Sequence, residues 1–323
     1  MNSTALRTDD ITAQRGKHMD AEWFQRAEAR GRRVVDESMN RHCTWRAGGA
    51  ADRYFEPVDL DDLVAFLSAV PADEALYMIG LGSNLLVRDG GLRGTVVATG
   101  RGLSRLDWVD ASTLKCGAGA ACAKAAKVAA KGGFTGGEFL AGIPGTIGGA
   151  LAMNAGAFGY EIWNLVMEVE TIDRAGVLHT RPAREFRAAY RHVEGPPSEW
   201  FVSGTLRFGA GEDGAAAGRI RALLNLRNEK QPLGLPSCGS VFMNPPQDFA
   251  GRLIEAAGMK GARRGGAYVS PKHANFIIND GTATAADIEG LIEEVRTRVL
   301  ETSGMRLEHE VKIVGEHAPG AMP

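Results

Sequence analysis

Two glycine-rich stretches carry the first chemistry legible in the chain. In "MIGLGSNLLV", Gly80 and Gly82 leave a β-type run and lead into Ser83 and Asn84. Residues without side chains let main-chain N–H groups converge on an anion, and Ser and Asn add donors, so this stretch suits a diphosphate. "GIPGTIGGALAMNAGAFG" offers the same chemistry on a larger scale. There Gly142, Gly145, Gly148 and Gly149 permit close approach of backbone to ligand, Pro144 stiffens the loop, and Thr146 brings a hydroxyl. No helix-opening third glycine follows Gly82, and no G-K-[ST] is present, so neither the G-x-G-x-x-G dinucleotide fingerprint nor a P-loop is matched. Each stretch has a plainer reading: a strand-exit turn for the first, close helix-on-strand packing for the second. Two such loops about 60 residues apart suggest instead one long ligand anchored twice, such as a dinucleotide.

These loops need elements to hold them. Leu60, Leu63, Val64, Leu67 and Val70 recur at helical spacing behind an acidic start, and "ALYMIG" then reads as a strand ending at Gly80. "GTVVAT" is another strand, and "GAGAACAKAAKVAAKGG" an alanine-rich helix stopped by Gly132 and Gly133. Residues 166–208 are β-rich, with "VMEVETID", "GVLHT" and "WFVSGTLRF" separated by turn residues. "GAGEDGAAAG" reads as a linker. After it come a helix with Ile220, Leu223, Leu224 and Arg227 on one side, a helix over 248–257 and a strand at "ANFIIN". Thr284 with Asp287 forms a capping-box pattern ahead of a helix with Ile288, Leu291, Ile292, Val295 and Val299 on one face, and "RLEHEVKIVG" closes as a strand.

Composition narrows the classes. The 323 residues are 44% hydrophobic and 24% charged with a net charge of −2, which gives no electrostatic case for nucleic acid or an anionic membrane. Cys43, Cys116, Cys122 and Cys238 form no C-x-x-C pair and no zinc-like spacing with histidine, so no metal site is expected and a reducing compartment is. The polar first 20 residues lack the apolar core of a signal peptide and read as a disordered extension, and no run of about 18 apolar residues suggests a membrane span.

Seven stretches in order, "CTWRAGGAADRYFEP", "MIGLGSNLLVRDGGLRGTVV", "GGEFLAGIPGTIGGALAMNAGAFGYEI", "AYRH", "PSCGSVFMNP", "SPKHANFIIN" and "LEHEVKIVG", cover roughly residues 40–315. Together they resemble the UDP-N-acetylenolpyruvoylglucosamine reductases, cytoplasmic enzymes of peptidoglycan precursor synthesis. The resemblance implies an α+β chain with a two-part FAD-binding region of vanillyl-alcohol-oxidase type over 34–100 and 101–211, then a substrate-binding domain over 215–316. It implies bound FAD, NADPH as co-substrate, and UDP-N-acetylglucosamine enolpyruvate as substrate of a monomeric enzyme. The glycines, with Ser83, Asn84, Pro144 and Thr146, would then hold the flavin. About 47 residues from "AYRH" to "PSCGS" leave little room for a substrate lid, which implies the family's shorter branch.

The resemblance also assigns roles. Hydride arriving at the methylene carbon of the enolpyruvyl group leaves an enolate-like charge that needs a cation and then a proton. Arg191 matches the arginine that steadies the carboxylate, and Glu310 the glutamate that polarises it while protonated; Glu308, two residues earlier, is the alternative. Ser240 matches the proton donor, with Ser237 and Cys238 as neighbours open to confusion. Asn244 and Tyr190 are the substrate-side candidates. Met243 stands where relatives commonly carry lysine and Tyr268 where they often carry glutamine. Two rival readings are a flavin oxidase on the same cofactor fold, and a flavin- or nucleotide-sugar-binding module without turnover.

Overall fold

The computed structural model describes residues 22–211 and 214–320, so the expected extension over residues 1–20 lies outside the described residues. The first layer is a four-stranded sheet in the order Arg32–Ser38, Ala50–Glu56, Leu92–Ala98, Leu76–Ile79. The first pair is antiparallel and the rest parallel. The parallel pairing requires a crossover, and the helix Leu60–Ala69 supplies it. Asp59 starts that helix by accepting from the Asp62 main-chain N–H at 2.9 Å. Phe66 on its buried face stacks on Phe55 of the sheet with ring centroids 3.9 Å apart.

A second, antiparallel sheet of five strands runs Leu178–Pro182, Val166–Asp173, Glu199–Arg207, Thr113–Gly117, Leu106–Trp108. The alanine-rich helix Cys122–Lys131 belongs to the same core and buries Cys122, Ala125, Ala126 and Ala129. It begins five residues later than the sequence suggests, because Gly117 closes the strand Thr113–Gly117 and the next residues are tied elsewhere, Ala118 N–H donating to the Val202 carbonyl and Gly119 N–H to that of Leu103, each at 2.9 Å. Within the second glycine stretch lies a helix that the sequence reading did not separate, Ile147–Met153, capped by Thr146. It packs against Glu199–Arg207, where Gly204 leaves room for Leu151.

The third unit is built on the helix Ala285–Ser303, which carries the expected capping box and buries Ile288, Leu291, Ile292, Val295 and Val299. The helix Ala250–Ala256 and a three-stranded sheet, Arg263–Arg264, Ala267–Val269 and Ile277–Asn279, pack on it. Two expectations are corrected. "GAGEDGAAAG" is not all linker: Gly209–Ala210 pairs with Phe134–Thr135, and Ala215 already opens the helix Ala215–Lys230, as the high helix propensity of alanine favours. In "RLEHEVKIVG" only Lys312–Val314 is a strand, and its partner is remote: it runs parallel to Leu85–Val87, the end of the first glycine stretch.

Candidate active site

The two glycine stretches abut. A Cβ built on Gly80 would lie 2.3 Å from Thr146 Oγ1, and one on Gly145 would lie 3.3 Å from Ser83 Oγ. On one side of this contact, Gly80, Gly148 and Gly149 line a cavity of about 310 Å³ with Thr99, Ala118 and Trp200. On the other, Ser83, Asn84, Gly142 and Pro144 line a cleft of about 290 Å³. The same short loops therefore reach both spaces, as an elongated dinucleotide requires of its cradle. Part of the glycine content has a second cause, since Gly148 faces Ala118, with its Cβ position 2.8 Å from the Ala118 methyl. Gly82, Gly145 and Thr146 line neither space: Gly82 is a tight turn at φ 58°, and buried Thr146 spends its Oγ1 accepting from the Gly149 N–H. The Asn84 side chain donates to the Glu310 carbonyl at 3.0 Å, tying the loop to the end of the chain.

The 290 Å³ cleft also contains Arg191, Ser240 and Glu310, drawn from three remote points of the sequence. Arg191 sits at the tip of a hairpin, Arg187–Ala189 with His192–Glu194, whose tight turn is Tyr190 and Arg191 themselves. Its backbone is left-handed, φ 55°, a conformation that costs a residue with a Cβ roughly 1–2 kcal/mol. Its side chain is held from three directions: Nε donates to Glu310 Oε1 at 2.8 Å, and the two terminal nitrogens donate to the carbonyls of Asn154 at 3.5 Å and Gly156 at 3.2 Å. A guanidinium has further N–H groups, which remain for an anion in the cleft. Ser240 is set beside Glu310 by backbone pairing, because Glu310 N–H donates to the Val241 carbonyl at 2.8 Å and Met243 N–H to that of Glu308 at 2.9 Å.

The alternatives separate in space. Glu308 is 66% exposed and its nearest cation is Arg306, whereas the Glu310 side chain is 11% exposed. The chain from 306 to 311 is not a regular strand, so side chains two residues apart do not share a face. Ser237 is used through its carbonyl, which accepts from the Thr44 hydroxyl at 2.7 Å. Cys238 reaches the cleft, but burial pushes its thiol up to about 11. Burial likewise raises Glu310 above the ordinary carboxylate range, and the pull of Arg191 offsets only part of this. Tyr190 and Asn244 stand together outside the cleft lining: the Tyr190 hydroxyl accepts from the Asn244 N–H at 3.3 Å, and the Arg191 guanidinium lies 5.0 Å from the Tyr190 ring centroid.

Two long polar side chains in the lining escaped the sequence reading as site residues. Arg227 and Gln231 project into the cleft from the end of the helix Ala215–Lys230, with Arg227 Nε donating to Gln231 Oε1 at 2.9 Å. Burial holds this guanidinium below its usual range. An arginine in the apolar stripe of Ile220, Leu223 and Leu224 was the available signal, since a cation in such a stripe must meet something other than solvent. Among the described residues, no group of acidic, histidine or cysteine side chains could hold a metal ion.

Residues 51–181 match a family model described as an FAD binding domain, and residues 231–314 one described as the UDP-N-acetylenolpyruvoylglucosamine reductase C-terminal domain. The reductase of that name from Alkalilimnicola ehrlichii is 57% identical over 280 residues, 87% of this chain and 94% of the relative. That from Methylococcus capsulatus is 54% identical over 290 residues, 90% and 95% respectively. The crystal structure of the Thermus caldophilus reductase matches with a TM-score of 0.75 and 31% identity, over 88% of this chain and 98% of that one. Shared nearly end to end at such identity, and folded alike, the chain belongs to the UDP-N-acetylenolpyruvoylglucosamine reductase family.

Proposed function

We propose that this FAD-dependent oxidoreductase reduces UDP-N-acetyl-3-O-(1-carboxyvinyl)glucosamine to UDP-N-acetylmuramate, with Arg191, Ser240 and Glu310 as its catalytic side chains. The observation that carries the reading is their convergence on one cleft that Ser83, Asn84, Gly142 and Pro144 of the glycine stretches also line. The cradle suits FAD: two spaces flank loops with little side chain, and Gly80, Gly148 and Gly149 extend it past their contact. Gly80, Gly148 and Gly149 with Ser83, Asn84, Gly142 and Pro144 would hold FAD, which would supply the hydride chemistry between NADPH and the methylene carbon of the enolpyruvyl group.

Negative charge then grows toward the substrate carboxylate. Arg191, already oriented by Glu310 and two carbonyls, meets that charge with its remaining N–H groups and loses little freedom in doing so. Burial favours the protonated form of Glu310, which donates to the carboxylate without adding a like charge. The Ser240 hydroxyl gives its proton to the adjacent carbon and recovers one from solvent. A neutral alcohol is a weak acid, but a carbanion is a far stronger base than the alkoxide left behind, so the transfer runs downhill. Tyr190 and Asn244, side by side next to Arg191, serve the rest of the substrate. Four buried free thiols support a reducing, cytoplasmic setting, in which we take the enzyme as a monomer.

Rapid mixing separates the two halves of the cycle. Ser240→Ala is expected to leave flavin reduction by NADPH within about twofold and to slow reoxidation by the enolpyruvyl sugar at least 10²-fold. Equal losses in both halves would remove Ser240 from the role of proton donor.

A further inference from the structure

One buried side chain outside the catalytic set reaches the hairpin of Arg191 by two independent routes. Asn154 is 1% exposed and ends the helix Ile147–Met153 in the left-handed conformation, φ 46° and ψ 54°. Its side-chain amide donates to the Ala189 carbonyl at 3.0 Å and to Glu161 Oε2 at 2.8 Å, while its Oδ1 accepts from the Trp163 N–H at 3.3 Å. Its main-chain carbonyl is one of the acceptors of the Arg191 guanidinium.

The hairpin needs such support. Its strands are three residues each and largely exposed, and among the described residues they pair only with one another. A two-residue turn with positive φ at a residue other than glycine or asparagine is intrinsically strained and persists only when its surroundings over-determine it. Ala189 is the last residue before that turn. The bond to its carbonyl sets where the turn begins, and the bond to the guanidinium sets where the side chain ends.

We propose that Asn154 is a positioning residue for Arg191, linking the helix whose Gly148 and Gly149 line the cofactor cavity to the hairpin tip that faces the substrate. The inference rests on the role given to Arg191 above. Helix and arginine are thereby referred to one another through a single buried amide, without contact between Asn154 and any reacting atom.

The informative variant is Asn154→Gly. Glycine accepts the left-handed backbone and retains the main-chain carbonyl, so only the side-chain ties are lost. Flavin content and flavin reduction by NADPH should stay within about twofold, while reoxidation by the enolpyruvyl sugar slows about 10- to 100-fold. In an Arg191→Ala background the same change should add less than about twofold, because a residue acting through Arg191 has nothing left to position. Amide hydrogen exchange gives a readout independent of turnover: residues 187–194 should lose protection, with the strand Val166–Asp173 unchanged. Multiplicative losses in the double variant, or unchanged exchange in the hairpin, would overturn the proposal. If Arg191→Ala itself leaves reoxidation intact, the role of Arg191 falls, and the exchange data still decide whether Asn154 sets the hairpin. Should Asn154→Gly not accumulate as folded protein, Asn154→Asp tests the same point, since it keeps the volume but replaces the donor with an acceptor facing the Ala189 carbonyl.

Discussion

Glu310 lies 2.8 Å from the Arg191 guanidinium, yet burial outweighs that attraction and shifts its carboxyl toward the protonated form. The sign of its pH dependence follows. The folded-state pKa is raised above the unfolded value, so between the two the folded chain binds more proton than the unfolded one, and stability falls as pH rises through that window. Below the ordinary glutamate value the group is neutral in both states and makes no difference. Activity should follow the same limb, because the proposed donor is the protonated form: reoxidation of the flavin by substrate is expected to decline as pH climbs through the raised pKa. Glu310→Gln holds a permanently neutral donor in place, so its rate should be flat across the window, and its deficit against the parent should shrink as pH rises. Stopped-flow reoxidation at a series of pH values checks this, and a decline that persists in Glu310→Gln would assign the limb to another group. The choice of this glutamate in "LEHEVKIVG" and its protonated form both came from the resemblance, and the residues alone show no cause for such a shift. Protonation depends on how much of the side chain the fold removes from water, and the cleft around it draws on residues as near as Phe276 and as far as Ser83.

Among the elements, the contact between the first glycine stretch and the helix Ile147–Met153 holds two kinds of bare position, and they predict opposite outcomes. A methyl group on Gly80 would strike Thr146, which is buried and cannot retreat without giving up its cap, so Gly80→Ala should push the loops apart and lower the stability of the apoprotein. A methyl on Gly149 meets nothing closer than 3.7 Å and replaces a helical glycine, so Gly149→Ala should leave the apoprotein as stable or raise it by up to about 1 kcal/mol. If the flavin lies against that bare face, Gly149→Ala should nonetheless weaken FAD binding at least tenfold. Thermal melts of apoprotein and fluorescence titration with FAD separate the two quantities; unchanged affinity in Gly149→Ala would move the cofactor away from this face. Elements with strong local signals were readable in advance. The helix Ala285–Ser303 announced its start with Thr284 and Asp287 and its buried face with a 3.6-residue stripe, and Val166–Asp173 showed the β-branched pattern of a strand. The hairpin of Arg191 was not readable, because its strands are short and exposed and its turn holds tyrosine and arginine where glycine or asparagine would signal it. The pairing of Leu85–Val87 with Lys312–Val314 was equally hidden, since register between segments so remote leaves no periodic trace.

Across the whole molecule, the third unit is finished by residues from the first. Trp45, Ala47 and Leu86 are part of the buried cluster under the helix Ala285–Ser303, and Trp45 is fully buried there with its indole N–H donating to the Ile277 carbonyl at 2.7 Å. Asn279 returns a bond to the Trp45 carbonyl at 2.8 Å. The carboxylate of Asp89 accepts from the Ala285 and Ala286 N–H groups at 2.9 and 2.8 Å, so the start of the longest helix is capped from across the boundary as well as by Thr284. Arg88 pairs with Glu289 at 2.8 Å on the same seam. This docking holds the cleft in shape, because Ser240 and Glu310 stand on one side of it and Ser83 and Arg191 on the other. Removing the indole should cost about 3–5 kcal/mol, the usual range for truncating a buried aromatic. The cost should fall on the whole chain, so in Trp45→Ala the loss of flavin fluorescence changes and of far-ultraviolet ellipticity should still coincide in a single, earlier unfolding transition. A fragment of residues 215–316 lacks Trp45, Leu86, the Asp89 cap and the strand Leu85–Val87, and it is expected to show no cooperative melt. A sharp calorimetric transition in that fragment would mean that the third unit holds its own core and that the cleft is only the meeting of two independent bodies.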